Sequence, residues 1–163
     1  MNNEEIKQQL STKFGNAVSM FEEPYGLLTF TCETDSNLKV LNFMHDELGF
    51  HFLNDLTAIH YPEQKDKELA VVYLFQNIRT GQRVRMKVFV PISKPDVYTA
   101  TGVYATANWL EREAYDFFGV NFVGHPNLIR IMNVEEMDYH PLRKEYALED
   151  QSRTDKDDDM FGR

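Results

Sequence analysis

Residues 69–91 read LAVVYLFQNIRTGQRVRMKVFVP. The first run, LAVVYLFQNI, is apolar on both faces, the pattern of a central strand. RTGQ turns the chain, and the second run alternates. Val84, Met86, Val88 and Val90 point one way, and Arg83, Arg85 and Lys87 point the other. Two such runs about a glycine-bearing turn predict a β-hairpin. Its basic outer stripe suits a solvated face, an anion or an acidic partner.

The flanks supply the layers. Ile6, Leu10 and Phe14 are spaced four apart and predict a short amphipathic helix over 4–14. In YGLLTFTCE, Leu28, Phe30 and Cys32 share one face while Thr29, Thr31 and Glu33 share the other, a half-buried strand. TDS (34–36) reads as a capping cluster, Leu38, Leu41, His45 and Leu48 as a second helix, and Gly49 as its stop. LTAIHYP is a strand ended by Pro62, and residues 103–118 read as another helix. The expected class is α+β: an antiparallel-rich mixed sheet with helices packed on it, then an extended irregular C-terminal tail. The expected units are 1–119 and 120–163.

Composition excludes several functions. A net charge of −9 argues against a nucleic-acid binder. The single cysteine, Cys32, cannot form an intrachain disulfide or supply the thiolates of an iron–sulfur cluster. The opening MNNEEIKQQL has no signal-peptide pattern, and the longest apolar run, residues 69–75, is far short of a membrane span. The acidic stretch between Glu149 and Asp159 reads as a solvated tail.

LEREAYDFFG, residues 110–119, packs acids and rings into one helix end. On a helical wheel Val103, Ala107, Leu110, Ala114, Phe117 and Phe118 form the core-facing arc, with Glu111 inside it. A buried carboxylate needs donors or a cation, and Arg130, Arg143 and Lys144 are the nearest cations in sequence. The opposite face carries Trp109, Arg112, Glu113 and Asp116, with Arg112 and Asp116 spaced to pair. Trp109 among charges suits an interface anchor. Gly119 is placed for a left-handed helix stop. Beyond it Val120, Phe122, Leu128, Ile131, Met132, Val134, Met137, Leu142 and Tyr146 need burial, and a partner protein is the expected shelter. Glu111, His125 and His140 could be drawn as a metal site, but the two histidines stand 15 apart without helical register. No catalytic constellation is legible, and a free-standing hydrolase or an independent binding module are the weaker readings.

Three linked motifs within residues 107–146 carry a resemblance. They are Glu111, Arg112, Glu113, Asp116 and Gly119; then Gly124, His125, Pro126 and Leu128; then Pro141, Leu142, Arg143 and Lys144, with Arg130 between. This set resembles the 30-kilodalton subunit family of respiratory complex I, the NADH–quinone oxidoreductase. Asn127, Ile129, Glu145 and Ala147 depart from the family's usual residues. The resemblance implies a non-catalytic assembly subunit of the hydrophilic arm, peripheral to the inner membrane on its cytoplasmic side, without membrane insertion. It implies no cofactor in this chain, with NADH, flavin, iron–sulfur clusters and quinone on other subunits. It implies partners in the hydrogenase-like large subunit and its cluster-bearing neighbour, wrapped by the C-terminal half. Membrane-bound hydrogenases and complexes with other electron donors carry related subunits, and this chain does not distinguish them.

Overall fold

The structure, a computed structural model, describes residues 2–146. The acidic stretch 149–159 therefore lies outside the described residues. Helix α1 spans Asn3–Phe14. Its start is a capping box: Asn2 Oδ1 accepts the Glu5 N–H at 2.8 Å, and Glu5 Oε2 accepts the Asn2 N–H at 3.0 Å. Strands β1 (Val18–Glu22) and β2 (Leu28–Cys32) follow, then α2 (Asn37–Asp46), β3 (Phe52–His60), β4 (Leu69–Gln76) and β5 (Arg83–Val90). A short β6 (Asp96–Tyr98), α3 (Ala107–Phe118) and β7 (Asn121–Val123) complete the described chain.

The five-stranded sheet has the order β1-β2-β5-β4-β3. The β4–β5 hairpin sits near its middle. Three pairings are antiparallel, and β2 pairs with β5 in parallel. The side chains of one face line up across the strands as Phe30, Met86, Tyr73 and Leu56, and all four are essentially inaccessible. Ile6 and Leu10 from α1 and Val40, Leu41 and Met44 from α2 join that row in one core. The other face keeps Arg85 and Lys87 half-exposed, as a one-sided sheet requires.

Several expectations change here. The 34–36 segment is a 3-10 turn, and Ser36 makes no side-chain capping bond to α2. The third helix begins at Ala107 and not at Val103, because residues 100–107 close a run of tight turns on Ala100 and Tyr104. The Tyr104 hydroxyl donates to the Phe50 carbonyl at 2.8 Å and holds those turns against the core. Strand β1 is unforeseen in the sequence. Its register slips between Ser19 and Glu22, and Met20 takes a φ of 50°, which breaks the alternation a strand is read from.

Within the 120–163 segment, the first residues join the fold. β7 pairs in parallel with β6, and Val120 and Phe122 are buried in the core. Leu128 packs against it.

Cys32, the last residue of β2, is buried in this core, and burial, reinforced by the Glu33 charge, pushes its thiol up to about 12. The thiolate is the reactive species. Labelling of the folded chain by a thiol reagent at pH 8 is therefore expected to run at least ~100-fold slower than in urea. An Ellman assay with and without denaturant checks this.

Candidate functional site

An α-helix leaves its last four carbonyls without partners. In α3 the chain's own return supplies them. Gly119 N–H donates to Tyr115 O at 2.8 Å. Arg130 Nη1 and His140 Nδ1 both reach Asp116 O at 3.0 Å. Leu142 N–H donates to Phe117 O at 3.1 Å, and Arg143 Nε donates to Phe118 O at 2.7 Å. Two guanidinium groups thus stand at the negative end of the helix dipole. Burial lowers the pKa of the His140 ring, and the Arg143 and Arg130 charges add to it, against the opposing hydrogen bond to Asp116 O.

Gly119 makes this closure possible. It sits at φ 77°, ψ 28°, the left-handed region. A Cβ there would stand 2.5 Å from Arg143 Nη2 and from the His140 ring.

Asp116 is the node of the site. It is fully buried. Its Oδ1 accepts from Arg130 Nη1 at 2.6 Å and from Asn133 Nδ2 at 3.0 Å. Its Oδ2 accepts the backbone N–H groups of Ile131, Met132 and Asn133 at 3.1, 2.8 and 2.9 Å. Burial opposes its ionisation, but the Asn133 and Met132 amides, the Asn133 side chain and Arg130 outweigh it and hold the carboxyl far below the usual range. Arg130 in turn donates through Nη2 to the carbonyls of Met137 and Tyr139 at 2.7 and 2.9 Å.

Two sequence expectations are corrected. Asp116 does not lie on the outer face paired with Arg112; the returning chain covers that side of the helix and makes it a second interior. Arg112 instead donates to the carbonyls of Ile129 and Arg130 at 3.0 and 2.8 Å. Glu111 does not meet Arg130, Arg143 or Lys144. It is buried as expected, but Oε2 accepts from Thr99 Oγ1 and Oε1 from the Ala100 N–H, both at 2.6 Å. Its donors are neutral because the carboxyl faces the turn after β6 and not the tail.

The remaining motif residues act locally. Gly124, at φ 87°, opens the turn that carries His125 and Pro126. His125 Nδ1 accepts the Asn127 N–H at 3.0 Å, so its ring proton lies on Nε2, which reaches Asn108 O at 3.1 Å. Beyond Pro141 and Leu142, the Lys144 N–H donates to His60 Nδ1 at 3.0 Å and ties the strap to the end of β3. Trp109 stays 58% exposed, with the Arg112 guanidinium 5.4 Å from its ring centre. Among the described residues, no group of three or more His, Cys, Asp or Glu is placed to hold a metal. Likewise, no described helix is long and apolar enough to cross a membrane.

Residues 128–146 thus form a strap that bonds to α3 through Arg130, Asn133, His140 and Arg143, while Glu135, Glu136 and Asp138 face solvent. Several of its apolar side chains turn outward: Met132 is 71% exposed and Val134 64%, and Ile131, Leu142 and Tyr146 are exposed as well, while Leu128 packs inward.

The family model described as respiratory-chain NADH dehydrogenase, 30 Kd subunit, matches residues 30–152. The chain belongs to that family. An NADH-quinone oxidoreductase subunit of Citrifermentans bemidjiense is 39% identical over 147 residues, 89% of this chain and 89% of its own. Its counterpart in Geotalea uraniireducens is 37% identical over 145 residues, 89% of this chain and 88% of its own. Among solved structures, the trypsin-resistant fragment (1-134) of Nqo5 is similar at TM-score 0.66 and 31% identity, over 78% of this chain and all of the fragment. A chain of the membrane-bound sulfane sulfur reductase, an archaeal respiratory membrane complex, is similar at TM-score 0.75 and 26% identity, over 89% of this chain and 85% of its own.

Within this member of the 30-kilodalton family, the three motifs therefore meet on one helix. Thr99, Asn133 and His60, which complete the site, were not singled out in the sequence. Nothing in the Ile-Met-Asn run after Arg130 marks it as a carboxylate cradle, because every residue but proline carries a backbone amide and only the local conformation turns three of them onto one carboxylate.

Removing one partner of a buried ion pair costs about 3–5 kcal/mol. Asp116→Ala is expected to lower stability by about that amount and to strip hydrogen-exchange protection from residues 131–133. Denaturant melts with exchange mass spectrometry check this. The Asp116 carboxyl is depressed below its unfolded value of 3.8. Its contribution is thus complete above about pH 4 and is lost as pH falls further. Asp116→Asn is expected to remove that part of the acid dependence, read from melts between pH 2 and 6.

Proposed function

We propose that the chain is a non-catalytic structural subunit of the hydrophilic arm of a proton-translocating NADH–quinone oxidoreductase. It braces the hydrogenase-like large subunit and that subunit's cluster-bearing neighbour, on the cytoplasmic side of the inner membrane. NADH, flavin, iron–sulfur clusters and quinone are held by other subunits.

The observation that carries this reading is the outward apolar side of the strap. Several of its polar groups bond to α3, and the exposed Ile131, Met132, Val134, Leu142 and Tyr146 are left for something else. Several exposed apolar side chains on a segment tied down by an internal polar network suit a lasting protein interface. Beside it runs a groove of about 470 Å³ lined by Ile59, Phe118, Leu142 and Tyr146, among others. Its size suits one or two apolar side chains of a partner. Trp109 adds an aromatic anchor of the kind that dominates interface energetics.

A second reading keeps the role and changes the assembly. The likeness to a chain of a sulfane sulfur reductase complex favours considering a related membrane-bound complex with a different electron donor. An affinity-tagged chain recovered from its own membranes separates the two. Co-purifying NADH- and flavin-binding subunits support the first, and their replacement by hydrogenase or sulfur-reducing subunits supports the second.

Met132→Asp with Val134→Asp tests the interface directly. Exposed substitutions usually change stability by less than about 0.5 kcal/mol. The double variant is therefore expected to melt like the parent while recovering at least ~10-fold less partner, a loss of about 1.4 kcal/mol or more. Undiminished recovery would place the interface elsewhere.

A further inference from the structure

We propose that Glu111, Thr99 and Thr101 form a reversible proton-binding site, in which a buried carboxyl exchanges one proton with solvent through two threonine hydroxyls. Glu111 lies fully inside the molecule. Its Oε2 stands 2.6 Å from Thr99 Oγ1, and Thr99 Oγ1 stands 2.9 Å from Thr101 Oγ1. Thr101 is half-exposed and ends the row at the surface.

The hydrogen bonds are complete in both states. In the ionised form Thr99 donates to Oε2, the Ala100 N–H donates to Oε1 and the Thr101 hydroxyl donates to Thr99. In the loaded form a proton taken from water sits on Oε2 and is donated to Thr99 Oγ1. The Thr99 hydrogen then turns to Thr101. Throughout, Thr99 Oγ1 also accepts the Thr101 N–H at 3.2 Å. Loading needs only hydroxyl rotation and moves no heavy atom.

Among the described residues, no cation holds the carboxyl charged. His125, from the turn after β7, places Nε2 4.0 Å from Oε2, but that N–H is committed to Asn108 O. Tyr73, from β4, faces the carboxyl from the sheet, and the Glu111 charge helps to raise its phenol. On the same helix, Arg112 and Asp116 are engaged by the strap. Consistent with this setting, burial raises the Glu111 carboxyl to about 7, against the opposing hydrogen bonds of Thr99 and Ala100. The site is then near half-loading at neutral pH. Because the turn after β6 and the His125 turn both meet this carboxyl, one proton sets whether a charge lies between them.

The test is a carboxyl-carbon NMR titration of the full-length chain carrying ¹³C-labelled glutamate, from pH 4 to 9. The signal missing in Glu111→Gln is assigned to Glu111; a glutamine keeps the loaded form's hydrogen bonds. A one-proton midpoint near 7 is expected. A midpoint below about 5.5, or no titration in this range, would overturn the site. Thr99→Val removes the donor to the ionised form and is expected to raise the midpoint by about one unit, while Thr99→Ser keeps it. An unmoved midpoint in a folded Thr99→Val chain also overturns the site. Should Thr99→Val not fold, Thr101→Ala at the half-exposed position reads the relay. Proton exchange slowed at least about tenfold supports the relay, and unchanged exchange refutes it.

Discussion

The ion pair between Asp116 and Arg130, 2.6 Å apart and almost wholly buried, is the constraint on which the second half of the structure depends. An acid in the last turn of a helix faces the negative end of the helix dipole. Burial makes that position worse. The chain meets both costs with one device. It returns a guanidinium to the helix end and lays three consecutive backbone amides on the carboxylate. Arg130 then has donors left over for Met137 and Tyr139, so the same charge that neutralises Asp116 also bends the strap. A lysine would offer a point charge without this fork.

From that constraint follows the unusual polarity of residues 128–146. Irregular chain normally turns polar groups to water and apolar groups inward. Here the helix end takes up Arg130, Asn133, His140 and Arg143, while Glu135, Glu136 and Asp138 keep to water and several apolar side chains face outward beside them. Gly119 is part of the same logic, since the strap crosses where a side chain would stand. The surface is already shaped on the chain itself. If the proposed interface lies here, a surface already shaped before binding loses little to conformational ordering on association.

Two buried carboxyls five residues apart on α3 show how environment divides one chemistry. Asp116 gathers a cation and three amides and stays charged. Glu111 gathers one amide and one hydroxyl, and burial raises it to about 7. A helical wheel placed Glu111 inside correctly and Asp116 outside wrongly. A wheel assumes a single burying surface. Helix α3 has two, the sheet on one side and the strap on the other.

The sequence by itself determined the elements whose signal is local. The β4–β5 hairpin, the alternation of β2, the apolar arc of α3 and the left-handed stop at Gly119 all follow from periodicity or from one residue's allowed φ. The three motifs that carry the family resemblance lie in one stretch of the sequence, and the structure brings them together on α3. Only the tertiary structure decided partners. Nothing in Leu28–Cys32 says that it pairs in parallel with β5, since alternation fixes a face and not a neighbour. Nothing in Glu111 or Asp116 says which of them meets arginine. A carboxylate's partner is set by distance in space, and that distance exists only once the chain has come back over α3.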